Sequence, residues 1–385
     1  MRTDSLVLRN VGPIREADIQ FGDLTVLVGP QATGKSIFLQ FLKLMVDRGP
    51  VFRTLKRYGL DWDRNWQDFF QLYFGEGMNG IWNLRKSSLI WQGDPIDVRK
   101  LVLPHRGRSG EKCFYMPAQR VLALDRYGWM RPFPDYRAGD PYMIRDFSEK
   151  LRFLIEVGLG RGGAIFPQTG RLKAEIRKQL DRAIFSNFSL NVEKQGPQRR
   201  LVLSAGRNEP SLPFMVWSAG QREFMPLLLG LYWVMPSTKA RTRGSVKWVV
   251  IEELEMGLHP RAISVMLLVV LDLLWRGYRV CLSTHSPHIL DLVWALRVFR
   301  ECSADPVRVL DLFGAAHTPG MVEVARDALR KRTAVYYFDP ETRTARDISG
   351  LDPGSELAAE AGWGGLTEFS GKVADEVAEV VAESR

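Results

Sequence analysis

The segment Gly29 to Ser36, Gly-Pro-Gln-Ala-Thr-Gly-Lys-Ser, constrains the fold of this 385-residue chain more than any other stretch. An apolar run, Leu24 to Val28, precedes it, and an amphipathic helix pattern from Ser36 to Met45 follows it. A glycine-rich turn between a buried strand and a helix points backbone N–H groups at phosphate oxygens, at the positive end of the helix. The sequence therefore predicts a loop that holds the phosphates of a nucleotide.

The side chains of this loop predict ATP and Mg²⁺ as its ligands. Lys35 is expected to reach the β- and γ-phosphates as a mobile point charge, and Ser36 to offer a hydroxyl ligand to Mg²⁺. The full set of loop residues expected to contact the nucleotide is Gly29, Gln31, Thr33, Gly34, Lys35 and Ser36.

A second apolar run, Val249 to Ile251, ends in two carboxylates. Ligands bind at the carboxyl ends of the strands in an open parallel sheet, so both side chains are expected at the nucleotide. Glu252 is predicted to hold the Mg²⁺ shell, and Glu253 to orient or deprotonate the attacking water. The alternative is an exposed acidic turn after a strand, but the upstream phosphate loop favours a hydrolytic site.

The charge distribution favours a polyanionic partner. The formal net charge is +9, but the last 36 residues carry −6, so the remaining chain carries about +15. Nucleic acid is the leading candidate for the partner of so basic a body, and a surface tuned for solubility is the alternative. With 45% hydrophobic and 25% charged residues, the composition is that of an ordinary globular protein.

Several features predict a cytoplasmic location. Cys113, Cys281 and Cys302 show no paired spacing, which favours reduced thiols over a disulfide framework or a zinc site. The first residues lead into a strand pattern rather than the apolar core of a signal peptide. No uncharged apolar stretch of about 18 residues occurs, so we expect no membrane span.

The order of strand and helix patterns predicts an α/β fold: a core with a mostly parallel sheet, an N-terminal antiparallel β portion and inserted helical and β lobes. The core is expected in residues 1–46, 113–124 and 214–312, the insertions in 47–112 and 125–213, and a hairpin with an acidic helix in 313–385. Further core strands are predicted at Val246 to Ile251, Arg279 to Ser283 and Val307 to Leu312.

Both insertions are candidates for a nucleic-acid surface. Residues 47–112 interleave aromatic with basic side chains, a pattern that can stack on bases. The number of aromatics favours the core of a small subdomain instead. Residues 171–200 hold eight basic and three acidic side chains, and the alternative there is an exposed charged helix.

Four blocks, in this order, resemble the ABC-type ATPases of the RecF, SMC and overcoming-lysogenization-defect group. They are the phosphate loop, Trp217 to Gln221, Ile251 to Pro260, and Ser283 to Pro287. Leu258-His259-Pro260 and Thr284-His285-Ser286-Pro287 are characteristic of this group rather than of transporter subunits. The resemblance implies a P-loop NTPase core with an ABC-type architecture, and it covers roughly residues 1–46, 113–120 and 214–312.

The resemblance also implies roles for residues outside the phosphate loop. Ser218, Gly220 and Gln221 would contact the γ-phosphate bound by another subunit, which implies a head-to-tail homodimer closed by ATP. His285 would sense the γ-phosphate as a catalytic residue beside Glu253 and Glu252. Gln119 would link Mg²⁺ and the water to the inserted lobe. The implied metal ligands are therefore Ser36, Glu252 and Gln119. Members of the group usually carry Asp at the position of Glu252.

Three functions compete. The favoured one is an anti-phage defence ATPase that gates DNA or a separately encoded nuclease or toxin, because a compact core with idiosyncratic lobes suits that diverse group. The second is a RecF-like ATPase of DNA repair. A transporter's nucleotide-binding subunit is disfavoured by the large insertions. We expect no intrinsic nuclease, because the residues after Leu312 show no spaced acidic cluster and His317 shows no partner in the sequence.

Overall fold

The computed structural model describes residues 4–103, 109–159, 164–196, 198–206, 210–237 and 240–383. Its strands are β1 (Ser5–Val11), β2 (Ile14–Gln20), β3 (Leu24–Val28), β4 (Ser88–Trp91), β5 (Asp94–Pro95), β6 (Cys113–Met116), β7 (Ser189–Gln195), β8 (Gln198–Ser204), β9 (Leu212–Pro213), β10 (Trp248–Glu252), β11 (Arg279–Thr284), β12 (Thr333–Phe338) and β13 (Ala345–Asp347).

The α-helices alternate with these strands through most of the chain. They are α1 (Lys35–Arg57), α2 (Trp66–Phe74), α3 (Val98–Leu101), α4 (Tyr142–Phe153), α5 (Ala174–Leu180), α6 (Ala219–Val234), α7 (Pro260–Arg276), α8 (Pro287–Glu301), α9 (Val307–Asp311), α10 (Pro319–Ala328), α11 (Ala358–Ala361) and α12 (Glu368–Glu383). Wider helical turns continue α4 over Leu154–Gly158 and α5 over Asp181–Phe185.

A six-stranded sheet in the order β13-β12-β3-β11-β10-β6 forms the centre of the molecule. All neighbouring pairs are parallel except β12 with the edge strand β13. The register places Leu27 beside Ser283, and Ser283 beside Glu252. The predicted fold class, α/β with a mostly parallel sheet and a separate antiparallel portion, is confirmed.

Both faces of the central sheet are covered, because alternate residues of each strand enter two different cores. One core contains sheet residues of one face together with helices α4, α6, α7, α8 and α10; these sheet residues include Val26, Val28, Phe114, Ile251 and Leu282. The other contains residues of the opposite face with α1, α2 and the N-terminal sheet; these include Leu27, Tyr115, Val250, Cys281 and Tyr336. A strand buried on both faces reads as a continuous apolar run, as β3 and β10 do.

The antiparallel portion has the strand order β2-β1-β4-β5. Strand β4 lies in the predicted insertion 47–112 and pairs with β1, so part of this insertion belongs to the N-terminal sheet. Its aromatic side chains pack on one another: Phe52 lies 4.6 Å from Trp62 and Phe70 lies 5.0 Å from Phe74, measured between ring centroids. All four are buried, which confirms the core interpretation for them.

Helix α1 consists of two helical stretches joined by a kink. The predicted helix from Ser36 to Met45 corresponds to the first stretch, because the backbone at Asp47 is not helical (φ −127°, ψ 27°), and the second stretch runs on to Arg57. The Asp47 carboxylate accepts hydrogen bonds from Lys43 Nζ at 2.7 Å and from the Cys113 backbone N–H at 2.8 Å. This buried ion pair fixes the kink against strand β6, and Pro50 lies in the first turn after the kink, where a helix tolerates proline.

The predicted strand from Val307 to Leu312 is wrong. Val307–Asp311 is helix α9, which begins after Pro306, and the Asp305 side chain accepts a hydrogen bond from the Val307 N–H at 2.9 Å. A short apolar run cannot by itself distinguish a buried strand from a buried helical turn. The sheet strand beyond β3 is β12, from the part of the chain predicted to form only a terminal hairpin with an acidic helix.

The second lobe contains helices α4 and α5 and the hairpin of β7 and β8, in line with the inserted helical and β lobe predicted for residues 125–213. Strands β7 and β8 pair in antiparallel register, and their apolar residues share a core with α6 and α7. Not all of its basic residues face solvent: Arg171 is buried and donates to the carbonyls of Tyr232 and Met235 at 2.8 and 3.1 Å. The sequence predicts a helix from about Tyr142 to Val157 that ends at a group of glycines. Gly158 lies at the end of the wide turn, and Gly160, Gly162 and Gly163 lie outside the described residues.

The three cysteines are free thiols, with Cys113 and Cys281 buried and Cys302 exposed. Within the described ranges, no helix has both the length and the apolar character needed to cross a membrane.

Candidate nucleotide site

The phosphate loop connects β3 to α1 and has a strained backbone. Gly29, Ala32 and Gly34 have positive φ angles of 140°, 60° and 99°. A Cβ atom on Gly34 would lie 2.6 Å from Ile14 Cγ1, so strand β2 presses the loop into place. Helix α1 starts at this loop with no side-chain cap and no acidic residue in its first turn. Its first N–H groups and its positive dipole end are therefore available to an anion.

Lys35 lies buried inside the loop. Its ammonium group donates to the carbonyls of Gly29 and Pro30, both at 2.7 Å. Burial lowers the pKa of Lys35 to about 8, although the negative charges of Glu253, Glu252 and Glu255 act in the opposite direction. Those three carboxylates therefore lie within electrostatic reach of the lysine, at the same edge of the sheet.

Glu252 ends strand β10 with its side chain buried. Its Oε2 accepts a hydrogen bond from the Ala118 N–H at 3.1 Å. Burial raises the pKa of this carboxyl, and hydrogen bonding from Ser36, Ala118 and Tyr115 opposes the rise. Its other oxygen, Oε1, is buried without a hydrogen-bond partner of good geometry.

An unsatisfied carboxylate oxygen beside a serine hydroxyl fits Mg²⁺, which prefers hard oxygen ligands and is usually held by one or two carboxylates plus substrate phosphates. Across the described part of the chain, no group of three or more His, Cys, Asp and Glu side chains could hold a metal ion alone. The residues present therefore fit Mg²⁺ that arrives with phosphate oxygens, through Ser36 and Glu252, better than a permanently bound ion.

Glu253 follows directly in a strained conformation, with a positive φ of 44°. Its N–H donates to the Ser283 carbonyl of the neighbouring strand at 2.9 Å. Its carboxylate Oε1 lies 3.8 Å from His285 Nε2, and both side chains are about 30% exposed. The turn thus directs a solvent-accessible carboxylate towards the histidine, and non-glycine residues with such backbone strain cluster at functional sites.

His285 follows the end of β11, and Glu255 anchors this position. The Glu255 Oε1 accepts hydrogen bonds from the Thr284 hydroxyl at 2.9 Å and from the His285 N–H at 2.5 Å. Burial lowers the pKa of His285, and the positive charge of Lys35 lowers it further, while Glu255 opposes both. The imidazole is therefore neutral near pH 7. The sequence did not single out Glu255 as an anchor for the histidine.

Arg120 is the other residue that sequence reasoning missed. It is fully buried, and its guanidinium donates to the carbonyl oxygens of Glu252 at 2.7 Å and Glu253 at 3.1 Å. Gln119, predicted to be the metal-linked residue of this turn, is exposed. The contacts with Glu252 come from its neighbours Ala118 and Arg120. A charged residue after a Pro-Ala-Gln turn carries no sequence signal that it will be buried.

Ser218, Gly220 and Gln221 lie at the start of helix α6. The Ser218 hydroxyl accepts from the Gln221 N–H at 3.2 Å, and the Gln221 side chain accepts from the Ser218 N–H at 3.1 Å, which is a capping box. A Cβ on Gly220 would lie 2.9 Å from the Gly257 carbonyl oxygen, so the helix packs closely on the loop after β10. These hydrogen bonds stay within the helix end and do not involve the phosphate loop.

The expectation that His317 has no partner is wrong, because its Nε2 lies 2.8 Å from Asp311 Oδ1. The pair is exposed, and the sequence gives no indication that residues 311 and 317 meet across the end of α9. Whether the chain has nuclease activity is not decided by this pair, and the expectation of none stays a prediction.

Comparison with known proteins gives one family match and several similar structures. A family profile described as "AAA domain, putative AbiEii toxin, Type IV TA system" matches residues 151–291, less than half of the chain. That region contains helix α6, Glu252, Glu253 and His285, but not the phosphate loop. No curated protein sequence matches the chain.

Two similar solved structures are heads of SMC proteins. "Crystal structure of the SmcHead bound to the C-winged helix domain of ScpA" has 12% identity and a TM-score of 0.37, and covers 73% of this chain and 89% of its own. "SMC head domain from Thermotoga maritima" has 12% identity and a TM-score of 0.31, with coverages of 76% and 92%. The chain is therefore similar to AAA domains over the part of the sheet edge that bears Glu252, Glu253 and His285, and its phosphate-loop sequence lies outside the matched region.

Proposed function

We propose that this chain hydrolyses ATP and uses the nucleotide state to control binding between two copies of itself. The observation that carries the proposal is the meeting of Lys35, Glu252, Glu253 and His285 at the carboxyl edge of one parallel sheet. They come from the start of α1 and from the carboxyl ends of β10 and β11, and that edge is where open α/β sheets bind ligands.

The roles follow from the geometry. Lys35 and the free N–H groups at the start of α1 bind the β- and γ-phosphates. Ser36 and Glu252 would hold Mg²⁺, which when bound neutralises phosphate charge in the transition state. Glu253 accepts the proton of the attacking water, and the neutral His285 beside it hydrogen-bonds the γ-phosphate. Gln119 would reach the water only after the turn that carries it moves inward.

The start of helix α6 supports a site completed by a second copy. Ser218 and Ala219 are exposed at a helix end whose dipole favours anions. Beside them, Met215 and Val216 are 64% and 63% exposed, an apolar surface that contact with another subunit would bury. The second copy would therefore place Ser218, Gly220 and Gln221 against the γ-phosphate held by Lys35.

The output of the cycle is proposed to be control of DNA or of a separately encoded toxin or nuclease in anti-phage defence, within the cytoplasm. The description of the matching family, which names a toxin and a type IV TA system, is the reason to prefer defence. Hydrolysis measured with and without double-stranded DNA tests this output. Stimulation that weakens steeply with added salt would support a phosphate-contacting surface. If DNA neither binds to the protein at low salt nor stimulates ATP hydrolysis, the proposal that the protein acts on DNA is wrong.

The test of the ATPase itself uses Glu253→Gln. This variant keeps the shape of the side chain but cannot accept a proton, so it should bind ATP while hydrolysis falls at least about 100-fold. The uncleaved nucleotide should hold two copies together, which light scattering after size-exclusion chromatography would detect as a dimer with ATP and a monomer with ADP.

Lys35→Ala is the matched control, because it removes the phosphate ligand and should neither bind ATP nor dimerise. A Glu253→Gln protein that stays monomeric while saturated with ATP contradicts the two-copy site. A Glu253→Gln protein that hydrolyses ATP at the normal rate would show that another carboxylate accepts the proton. Glu252 and Glu255 would then be substituted next.

A further inference from the structure

Arg120 is a buried cation that makes its hydrogen bonds to backbone carbonyls. Its two terminal nitrogens bind the carbonyl oxygens of Glu252 and Glu253, and one also lies 3.4 Å from the Pro117 carbonyl. Burial lowers the pKa of Arg120, opposed by the charges of Glu223, Glu255, Glu252 and Glu253. Its third nitrogen, Nε, is buried without a hydrogen-bond partner.

The carbonyl groups that Arg120 binds belong to the strained turn after β10. Glu253 has a positive φ of 44°, which costs a non-glycine residue on the order of 1–3 kcal/mol. Its N–H is held by Ser283 on one side of the turn and its carbonyl by Arg120 on the other. These two anchors fix the direction in which the Glu253 side chain leaves the sheet, and hence its 3.8 Å separation from His285.

Helix α6 packs on the same turn through Glu223. A Cβ on Gly257 would lie 2.9 Å from Glu223 Cγ, so the side chain contacts the loop that Arg120 holds. The Glu223 Oε2 is buried without a hydrogen-bond partner, and burial raises the pKa of this carboxyl while the charge of Arg120 lowers it. An unpaired acceptor on α6 thus lies within electrostatic reach of an unpaired donor on Arg120.

We propose that Arg120 is a positioning residue that holds Glu253 in its hydrolytic geometry, and that pairing of Arg120 Nε with Glu223 couples this geometry to helix α6. An unsatisfied buried donor and acceptor of opposite charge favour a conformation in which they meet. A small movement of α6, as its exposed start engages the nucleotide of a second copy, brings Glu223 to Arg120. The coupling rests on the proposed function, whereas the hold on the turn rests only on the contacts above.

The hold on the turn is measured by hydrogen–deuterium exchange of the full-length protein. Arg120→Lys keeps the charge but loses the planar fork that reaches two carbonyls at once. Peptides covering residues 252–258 should exchange at least about tenfold faster than in the wild type. Peptides covering residues 24–36 should be unchanged. Unchanged exchange in 252–258 overturns the proposal.

Arg171→Lys is the matched control. Arg171 is also buried and also bonds two backbone carbonyls, but it lies in the second lobe, away from the sheet edge. If Arg171→Lys accelerates exchange in residues 252–258 as much as Arg120→Lys does, the faster exchange reflects general destabilisation, and Arg120 does not specifically hold the turn.

Kinetics test the coupling with Glu223→Gln, which retains the side-chain size and removes the charge. We expect kcat to fall about tenfold with KM within about twofold, because nucleotide binding does not use Glu223. Arg120→Lys should show the same split, and the double variant should be no worse than Arg120→Lys alone. Additive losses, or a loss confined to KM, overturn the coupling.

The exchange and kinetic experiments distinguish failure of the proposed function from failure of the proposed role of Arg120. A wild-type protein that hydrolyses no ATP removes the proposed function and the coupling with it, but the exchange experiment still decides whether Arg120 holds the turn. If Arg120→Lys does not fold, the Glu223→Gln kinetics and the exchange of residues 252–258 in that variant decide the proposal, since a normal kcat and normal exchange together overturn it.

Discussion

At the scale of single residues, the unusual group is the Lys35 ammonium. Its two short hydrogen bonds go to neutral carbonyls. Three carboxylates nearby raise its pKa, but burial lowers the pKa by more. A phosphate placed on the loop adds negative charge at the ammonium and restores the charged form. Binding should therefore be linked to protonation of this one side chain.

The sign of that linkage gives a prediction. The pKa of Lys35 falls from 10.5 to about 8, so at pH 8.5 much of the lysine is neutral before ATP binds. Bound phosphates raise the pKa again, so ATP binding at pH 8.5 should take up roughly 0.5–0.8 proton. Titration calorimetry in two buffers of different ionisation enthalpy measures this uptake. The protein is expected to show almost no such uptake at pH 6.5, where Lys35 is already charged.

Lys35→Ala sets the baseline for these titrations, because it should give no binding heat at either pH. An uptake of zero protons at pH 8.5 in the wild type would mean that the loop carbonyls and carboxylates keep Lys35 charged. In that case burial is not the dominant influence on its pKa.

Residue identity could be predicted where chemistry depends on type and spacing. Lys35, Ser36, Glu252 and Glu253 are predicted as site residues in that way. Arg120 and Glu255 were not, because an arginine or glutamate in a loop has the same sequence signature whether it is buried or solvated. Their contacts join segments about 130 and 30 residues apart in the chain, which no local pattern records.

At the scale of elements, the phosphate loop depends on its neighbours as much as on its own glycines. Gly34 has a φ of 99° and faces Ile14 and Pro13, whereas Gly277, after helix α7, has the same φ of 99° with nothing within 4 Å. The two positions share the same conformational demand and differ only in crowding.

That pair gives a second prediction. Gly277→Ala should cost about 1–2 kcal/mol of unfolding free energy from backbone strain alone. Gly34→Ala should cost about 1–3 kcal/mol more, because its Cβ would lie 2.6 Å from Ile14 Cγ1 and push strand β2 or the loop aside. Urea unfolding of both variants measures the difference. Equal losses would show that β2 yields freely and does not hold the loop.

The elements that sequence patterns missed share one cause. The buried Lys43–Asp47 pair fixes the kink in α1 against β6, and α9 is helical where an apolar run favoured a strand. In both, contacts with distant parts of the chain outweigh a weak local preference.

At the scale of the whole molecule, the C-terminal part of the chain completes the central sheet. Strand β12 pairs with β3 along its length, from Thr333 beside Leu24 to Tyr337 beside Val28. A Cβ atom on Gly29 would lie 2.5 Å from the carbonyl oxygen of Phe338, so the end of β12 packs closely against the start of the phosphate loop. The strand that carries the phosphate loop is therefore central only because a distant segment covers it.

A truncation pair tests this arrangement. A chain ending at Arg332 loses β12 and should fail to fold, since it exposes β3, whose residues are buried. A chain ending at Leu366 keeps Trp363 packed on Trp294 and removes only α12, whose apolar side chains are largely exposed. Its thermal midpoint should lie within about 3 °C of the full chain, with ATP binding retained.

Circular dichroism and the yield of soluble protein measure whether each truncated chain folds. A stable, ATP-binding protein ending at Arg332 would contradict the central place of β12 in the fold. A large loss of stability in the chain ending at Leu366 would instead show that α12 packs on the body in solution.

The fold class could be predicted from the sequence alone, and the nucleotide chemistry is a prediction drawn from it. Both depend on residue type, spacing and the period of apolar residues, which are properties of short segments. Only the folded structure shows which strand lies beside β3, that α1 is kinked at Asp47, and that Arg120 and Glu255 hold the turns carrying Glu253 and His285. Those features depend on burial and on contacts between segments far apart in the chain, and these exist only once the sheet is assembled.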